Sequence, residues 1–158
     1  MSIATPPWRL SSLLLVAAGT IVAAIGVYFM AFRPAMLPED IRFIGLSTAE
    51  VSAIGPRLSP WLTQVFRVLG GYALATGVLT VALSATAFRA RQPVAVAGAA
   101  IACICSIGLM VAINFAIDSD FKWPLLVPAA IWLLSIAAFY LEARTPFMRT
   151  QVNDRKGN

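Results

Sequence analysis

Long apolar runs separated by short polar segments are the dominant pattern along the chain. The first run, 10–32, contains no charged residue, and a helix of that length extends about 34 Å at 1.5 Å per residue. A hydrocarbon layer is about 30 Å thick, so this helix is long enough to cross it. Further runs follow at 65–88, 94–117 and 125–141, of which the last is the shortest. The pattern predicts four membrane-spanning helices.

A cleaved signal peptide is the competing interpretation of the first run. The apolar core of such a peptide is about 7–15 residues long and ends at a cleavage site of small residues. The run 10–32 is longer, and it ends in the bulky residues Tyr28, Phe29, Met30 and Phe32. We therefore predict that the first span is retained.

The loop 33–64 is the only long connection between the predicted spans. Within it, Ser47 is followed three residues later by Glu50, which fits a capping box and predicts a short helix. Ser59 and Pro60 fit an N-cap followed by proline at the first helical position. The helix of the second span is therefore predicted to start there, with its first turns among the lipid headgroups, and to end at 88.

The short turns at 89–93 and 118–124 make consecutive spans antiparallel neighbours. The predicted fold is an all-α, integral membrane four-helix antiparallel bundle, with a long outer loop that contains a short helix. Its transmembrane domain covers 10–144, between an N-terminus at 1–9 and a tail at 145–158 that we expect to be mobile. With the termini inside, seven basic residues lie on the inner side and five on the outer side. The short turn with Arg89 and Arg91 then lies inside, which the positive-inside rule favours.

The composition agrees with a membrane location and excludes several chemistries. Of 158 residues, 59% are hydrophobic and 12% are charged, about half the charged fraction of a soluble domain. The net charge of +5 comes from basic residues at span ends, so we interpret it as a topology signal and expect no nucleic acid. The absence of histidine removes the commonest metal ligand, and we expect neither a metal nor a cofactor. Cys103 and Cys105 point about 200° apart on a helix and act as small apolar side chains.

A polar stripe runs along the second span at four-residue steps through Tyr72, Thr76, Thr80 and Ser84. One interpretation is helix packing, in which hydroxyl groups bond across helices or back to their own helix. The other is a polar lining of a ligand pocket inside the bundle. Small residues four apart, such as Gly19 and Ala23, also favour close packing of helices.

A second polar set, Arg67, Asn114 and Asp118, is predicted near the outer end of the bundle. Asn114 and Asp118 share a helix face if the third helix reaches Asp118. An Arg67–Asp118 ion pair would then clamp the second and third spans together. Contact with lipid headgroups and a ligand site are the alternatives for this set.

The stretch LPEDIRFIGLSTAEVSAIGPRL, followed by FRVLGGYALATGVL, resembles small four-span proteins of the bacterial inner membrane. The layout is also loosely similar to the DoxX-like families, which have four helices and a glycine-rich second span entered through an arginine. The resemblance covers about 37–79. It implies a bacterial inner membrane and a four-helix bundle, and it brings no catalytic residue.

Three functional hypotheses follow from the sequence. The first is a non-enzymatic accessory or scaffold protein that binds a protein partner or a second copy. The second is a small binder or carrier of a lipid, a quinone or another apolar molecule within the bundle. The third is an enzyme, which is disfavoured because no nucleophile–base pair, phosphate loop or metal-ligand cluster is visible. The spans also carry no charged residue near their middles, which argues against an ion-coupled pump.

Overall fold

The computed structural model describes the backbone of residues 7–156 and the side chains of residues 7–143 except Thr48. Four of its helices are long and apolar enough to cross a membrane: Leu10–Ala31, Leu58–Phe88, Pro93–Ala116 and Leu126–Ala143. The described part of the chain is helical and contains no strand. This confirms the predicted all-α fold with four spans.

We number the helices in chain order. They are α1 (Leu10–Ala31), α2 (Pro38–Ile44), α3 (Thr48–Ile54), α4 (Leu58–Leu83), α5 (Pro93–Cys103), α6 (Leu109–Ala116) and α7 (Leu126–Lys156). A π-helical turn at Ser84–Phe88 extends α4, and another at Ile104–Gly108 joins α5 to α6. We call the end of the bundle where α1 begins the terminal end, and the end that carries α2 and α3 the loop end.

Two of the predicted helix boundaries differ from the structure. The predicted N-cap at Ser59 is wrong, because α4 starts at Leu58 and has Arg57 at its N-cap position. Pro60 is compatible with this earlier start, since the first N–H groups of a helix have no partner within the helix. Helix α7 continues to Lys156, so the segment predicted as a tail extends the fourth span as helix. Residues 1–6 and 157–158 lie outside the described backbone.

The loop contains two short helices rather than the one that was predicted. The capping box of α3 is confirmed, since Ser47 Oγ accepts from Glu50 N at 3.2 Å and a Glu50 carboxylate oxygen accepts from Ser47 N at 2.7 Å. Helix α2 was not predicted. It starts at a proline, and the Asp40 carboxylate accepts the N–H of Leu37 at 2.9 Å, which satisfies a free donor at the helix start.

Helix α1 is the central element of the bundle and packs against both α4 and α7. Its backbone lies directly on that of α4. A Cβ atom added to Gly77 would stand 2.4 Å from the nitrogen of Ala23, and one added to Gly26 would stand 2.3 Å from the nitrogen of Leu74. The predicted close packing at Gly19 and Ala23 is confirmed, because Gly77 fits between them.

The buried apolar core lies mainly in the half of the bundle toward the terminal end. Its members come from all four spans: Leu15, Ala18, Val22, Phe88, Ala95, Val96, Ala99, Cys103, Ile107, Trp132 and Phe139. Toward the loop end the packing is looser, and none of the described residues of α6 is buried. Helix α6 is therefore the least buried part of the third span.

Candidate functional site

The structure does not bring the predicted set Arg67, Asn114 and Asp118 together. Arg67 is exposed and forms no salt bridge with any side chain in the described part of the chain. Asn114 donates from Nδ2 to the carbonyl of Met110 in its own helix at 2.8 Å. Because α6 ends at Ala116 and Asp118 has a positive φ of 53°, Asn114 and Asp118 do not share a helix face. The predicted Arg67–Asp118 clamp is wrong.

Asp118 pairs with a closer cation, Lys122, in the same turn. The hydrogen bond and the charge of Lys122 hold the pKa of the Asp118 carboxyl below its usual range. The backbone carbonyl of Asp118 accepts from Arg42 of α2 at 2.9 Å, and Arg42 also reaches the Asp120 carboxylate at 3.1 Å. The loop is thus tied to the turn between the third and fourth spans.

Two further contacts fix α2 over the loop end of the bundle. Glu39 is 2% exposed, and its carboxylate accepts from the Ser119 hydroxyl at 3.1 Å. Arg33 pairs with Asp40 at 2.9 Å, and its guanidinium carbon stands 3.4 Å from the ring centre of Phe66. Cation–π contacts of this kind strengthen when the cation is desolvated, and the Arg33 side chain is only 6% exposed.

An apolar cavity of about 210 Å³ lies beneath α2. Its walls come from the loop, from α4 and from the residue that follows α6: Ala35, Met36, Asp40, Phe43, Ile44, Leu62, Phe66 and Ile117. Asp40 is the one charged residue of the wall, and Arg33 already neutralises it. The cavity therefore offers apolar contact and no free charge.

The polar stripe of the second span crosses from the surface of the bundle into its core. Tyr72 is 71% exposed, Thr76 is half-buried, and Thr80 and Ser84 are buried. Thr76 and Thr80 donate to the carbonyls four residues earlier, each at 2.8 Å. Ser84 donates to the carbonyl of Ser12 in α1 at 2.7 Å. These contacts favour the packing interpretation of the stripe.

A polar cluster that the sequence analysis missed ties the first and fourth spans to the turn before the third span, at the terminal end. Glu142 accepts from Ser11 twice, from the backbone N–H at 3.1 Å and from the hydroxyl at 2.7 Å. It also pairs with Arg91, which donates to the carbonyl of Phe139 at 3.1 Å and lies over the Phe139 ring. Buried Ser135 adds a bond to the carbonyl of Ser11 at 2.8 Å.

The signal for this cluster was present in the sequence. Ser11 opens the first span, Arg91 lies in the turn before the third span, and Glu142 directly follows the predicted fourth span. Antiparallel spans bring these three positions to the same level of the membrane. All three lie at span ends, away from the span middles where a charged residue indicates function.

Trp132 and the two cysteines take no part in the polar contacts described above. Trp132 is fully buried, and its Nε1 has no hydrogen-bond partner among the described residues. Cys103 is buried, Cys105 is exposed, and neither forms a disulfide. Among the described side chains, no group of three His, Cys, Asp or Glu residues could hold a metal ion.

Fold and contacts together define a multi-pass, all-helical membrane protein with four spans. Comparison of the chain with protein-family models, with curated proteins and with solved structures found no match in any of the three. The similarity to the DoxX-like families consequently stays a prediction from sequence.

Proposed function

We propose that the protein is a non-enzymatic accessory or scaffold protein of a bacterial inner membrane, which holds a protein partner or a second copy of itself. This proposal is based on the partners of the described carboxylates. All six have a partner within the chain: Glu39, Asp40, Glu50, Asp118, Asp120 and Glu142. General acid–base chemistry needs a carboxylate directed at a substrate. Here Glu50 and Asp118 bind a residue three or four positions away, and the other four join separate segments of the fold.

The packing between the spans supports the same proposal. A carrier inside the bundle needs space between its helices, whereas the backbones of α1 and α4 are in contact at Gly26 and Gly77. The core near the terminal end is filled by Trp132 and Phe88, both fully buried. The exposed apolar side chains of α2 and α3, such as Ile54 at 66% exposure, form a fixed surface at the loop end.

Native mass spectrometry of the full-length protein, released from its membrane in mild detergent, tests the scaffold. We expect a discrete complex with a partner chain or with a second copy. A variant with Ile54→Ser at the loop end should lose the complex, whereas Leu133→Ser on the lipid-facing side of α7 should keep it. A protein that is monomeric at every detergent concentration, carrying only lipids, would contradict the proposal.

Within the same proposal, both termini lie in the cytoplasm and the loop end faces outward. The turn with Arg89 and Arg91 supports this orientation. Single cysteines placed by Ala53→Cys in α3 and Gln92→Cys in the turn, in a chain without Cys103 and Cys105, test it. A membrane-impermeant maleimide should label the first in intact cells and the second only after permeabilisation. The reverse pattern would invert the topology.

A further inference from the structure

The apolar cavity beneath α2 lies at the level where lipid headgroups meet acyl chains. The second span is 31 residues long, about 46 Å, and so exceeds a hydrocarbon core of about 30 Å by several residues at each end. Leu62 and Phe66 of the cavity wall lie one and two turns into that span. Exposed Trp61 and Trp123 mark the same level, as interfacial tryptophans do in membrane proteins.

The cavity also lies apart from the packed core, because none of its wall residues belongs to the buried apolar core. Its wall takes Leu62 and Phe66 from the second span and Ile117, which directly follows the third. Helix α6, which ends beside Ile117, has no buried residue among those described. Phe43 and Ile44 of α2 roof the cavity and remain 63% and 48% exposed.

We propose that this cavity is a lipid site, which holds the ester-proximal methylene groups of one acyl chain from the adjacent leaflet under the α2 roof. An acyl chain is apolar, and so is the wall of the cavity, except for Asp40, whose carboxylate Arg33 neutralises. The wall offers no free cation to an anionic headgroup, and exposed Arg67, next to Phe66, lies outside it. Arg33 and Arg42 are bound to Asp40 and Asp120, and Lys122 is bound to Asp118.

The roof is fixed by contacts outside the cavity, which leaves the site formed without its ligand. Glu39 is bonded to Ser119 and Arg42 to the carbonyl of Asp118, so α2 is held to the turn between the third and fourth spans. A preformed site loses less conformational freedom on binding than one that must first order its lid. The lipid proposal is independent of the scaffold proposal, since it needs neither a partner nor a second copy.

Photo-labelling of the full-length protein in phosphatidylcholine vesicles, with a lipid that carries a diazirine near the ester end of one acyl chain, tests the site. We expect labelled peptides that contain Leu62 and Phe66. Ala35→Phe fills the cavity and should lower that labelling by about fivefold or more, because filling removes the space itself. Ile117→Ala enlarges the cavity and should raise the labelling. The control Ala97→Phe, on an exposed face of α5, should leave the labelling of Leu62 and Phe66 unchanged.

Several outcomes would overturn the lipid site. Labelling of Leu62 and Phe66 that Ala35→Phe and Ile117→Ala leave unchanged would identify the label as ordinary surrounding lipid. Labelling at least about fivefold stronger in phosphatidylglycerol than in phosphatidylcholine would show recognition of an anionic headgroup instead of the chain. If Ala35→Phe alone unfolds the protein, the rise expected for Ile117→Ala still decides between these results.

Discussion

The close contact between α1 and α4 predicts that one added methyl group lowers the stability of the protein. Gly77→Ala adds a Cβ that would stand 2.4 Å from the nitrogen of Ala23 and 2.5 Å from the carbonyl oxygen of Gly19. Ordinary contact begins near 3.4 Å, so the two helices must separate by about 1 Å, a gap that forfeits a quarter to a half of the attraction between the atoms involved. We expect the free energy of unfolding to fall by about 1–3 kcal/mol, the usual cost of overpacking.

The matched control for this prediction lies in the same helix. A Cβ added to Gly71 meets no atom within 4 Å. Gly71→Ala should therefore leave stability unchanged or raise it by up to about 1 kcal/mol through helix propensity. Unfolding of both variants in mixed micelles of increasing SDS content, followed by helical circular dichroism, measures the difference. Equal stability of the two variants would refute close backbone packing as the basis of the α1–α4 interface.

Three further predictions concern the polar contacts. Glu142→Ala should lower the free energy of unfolding by about 1–3 kcal/mol, because it leaves partly buried Arg91 without its counter-ion; a double-mutant cycle with Arg91→Ala that shows no coupling would contradict this. Hydrogen bonds from the Ser47 hydroxyl and then from its N–H lower the pKa of Glu50. The contribution of this contact to the stability of α3 is therefore present above the ordinary carboxyl pKa and is lost as the pH falls through the lowered one. Ser47→Ala should raise that pKa in a carbon-13 NMR titration, and an unchanged value would argue against the capping box. Arg67→Ala should change the melting temperature in detergent little, since exposed substitutions usually alter stability by less than about 0.5 kcal/mol; a clear drop would restore a structural role for Arg67.

The sequence was sufficient for the parts of the fold that depend on one helix at a time. The length of the apolar runs located the four spans, because a helix that crosses a bilayer needs about 20 apolar residues and other helices rarely have so many. The capping box located α3, since both of its hydrogen bonds are local to Ser47 and Glu50. Helix α2 was missed because its seven residues carry no apolar periodicity, and its stability comes from distant partners such as Ser119.

The candidate sites could be predicted only in part, because they too depend on contacts between distant segments. The Arg67–Asp118 clamp assumed that the third helix runs through Asp118, and one residue in the left-handed region redirected that side chain toward Lys122. The direction of a side chain at a helix end depends on backbone angles that the local sequence specifies weakly. The cavity beneath α2 is assembled from the loop and two spans, so no single segment contains its signal.

The bond between Ser11 and Glu142 has a consequence for how the protein is made. The two residues are separated by 131 positions, almost the whole chain, and they join the first span to the last. Because synthesis proceeds from the N-terminus, the first helix enters the bilayer long before its partner on the fourth helix leaves the ribosome. Until then the Ser11 hydroxyl lacks its carboxylate acceptor, so a chain stalled or cut before Glu142 differs from the finished protein at a polar position next to the membrane.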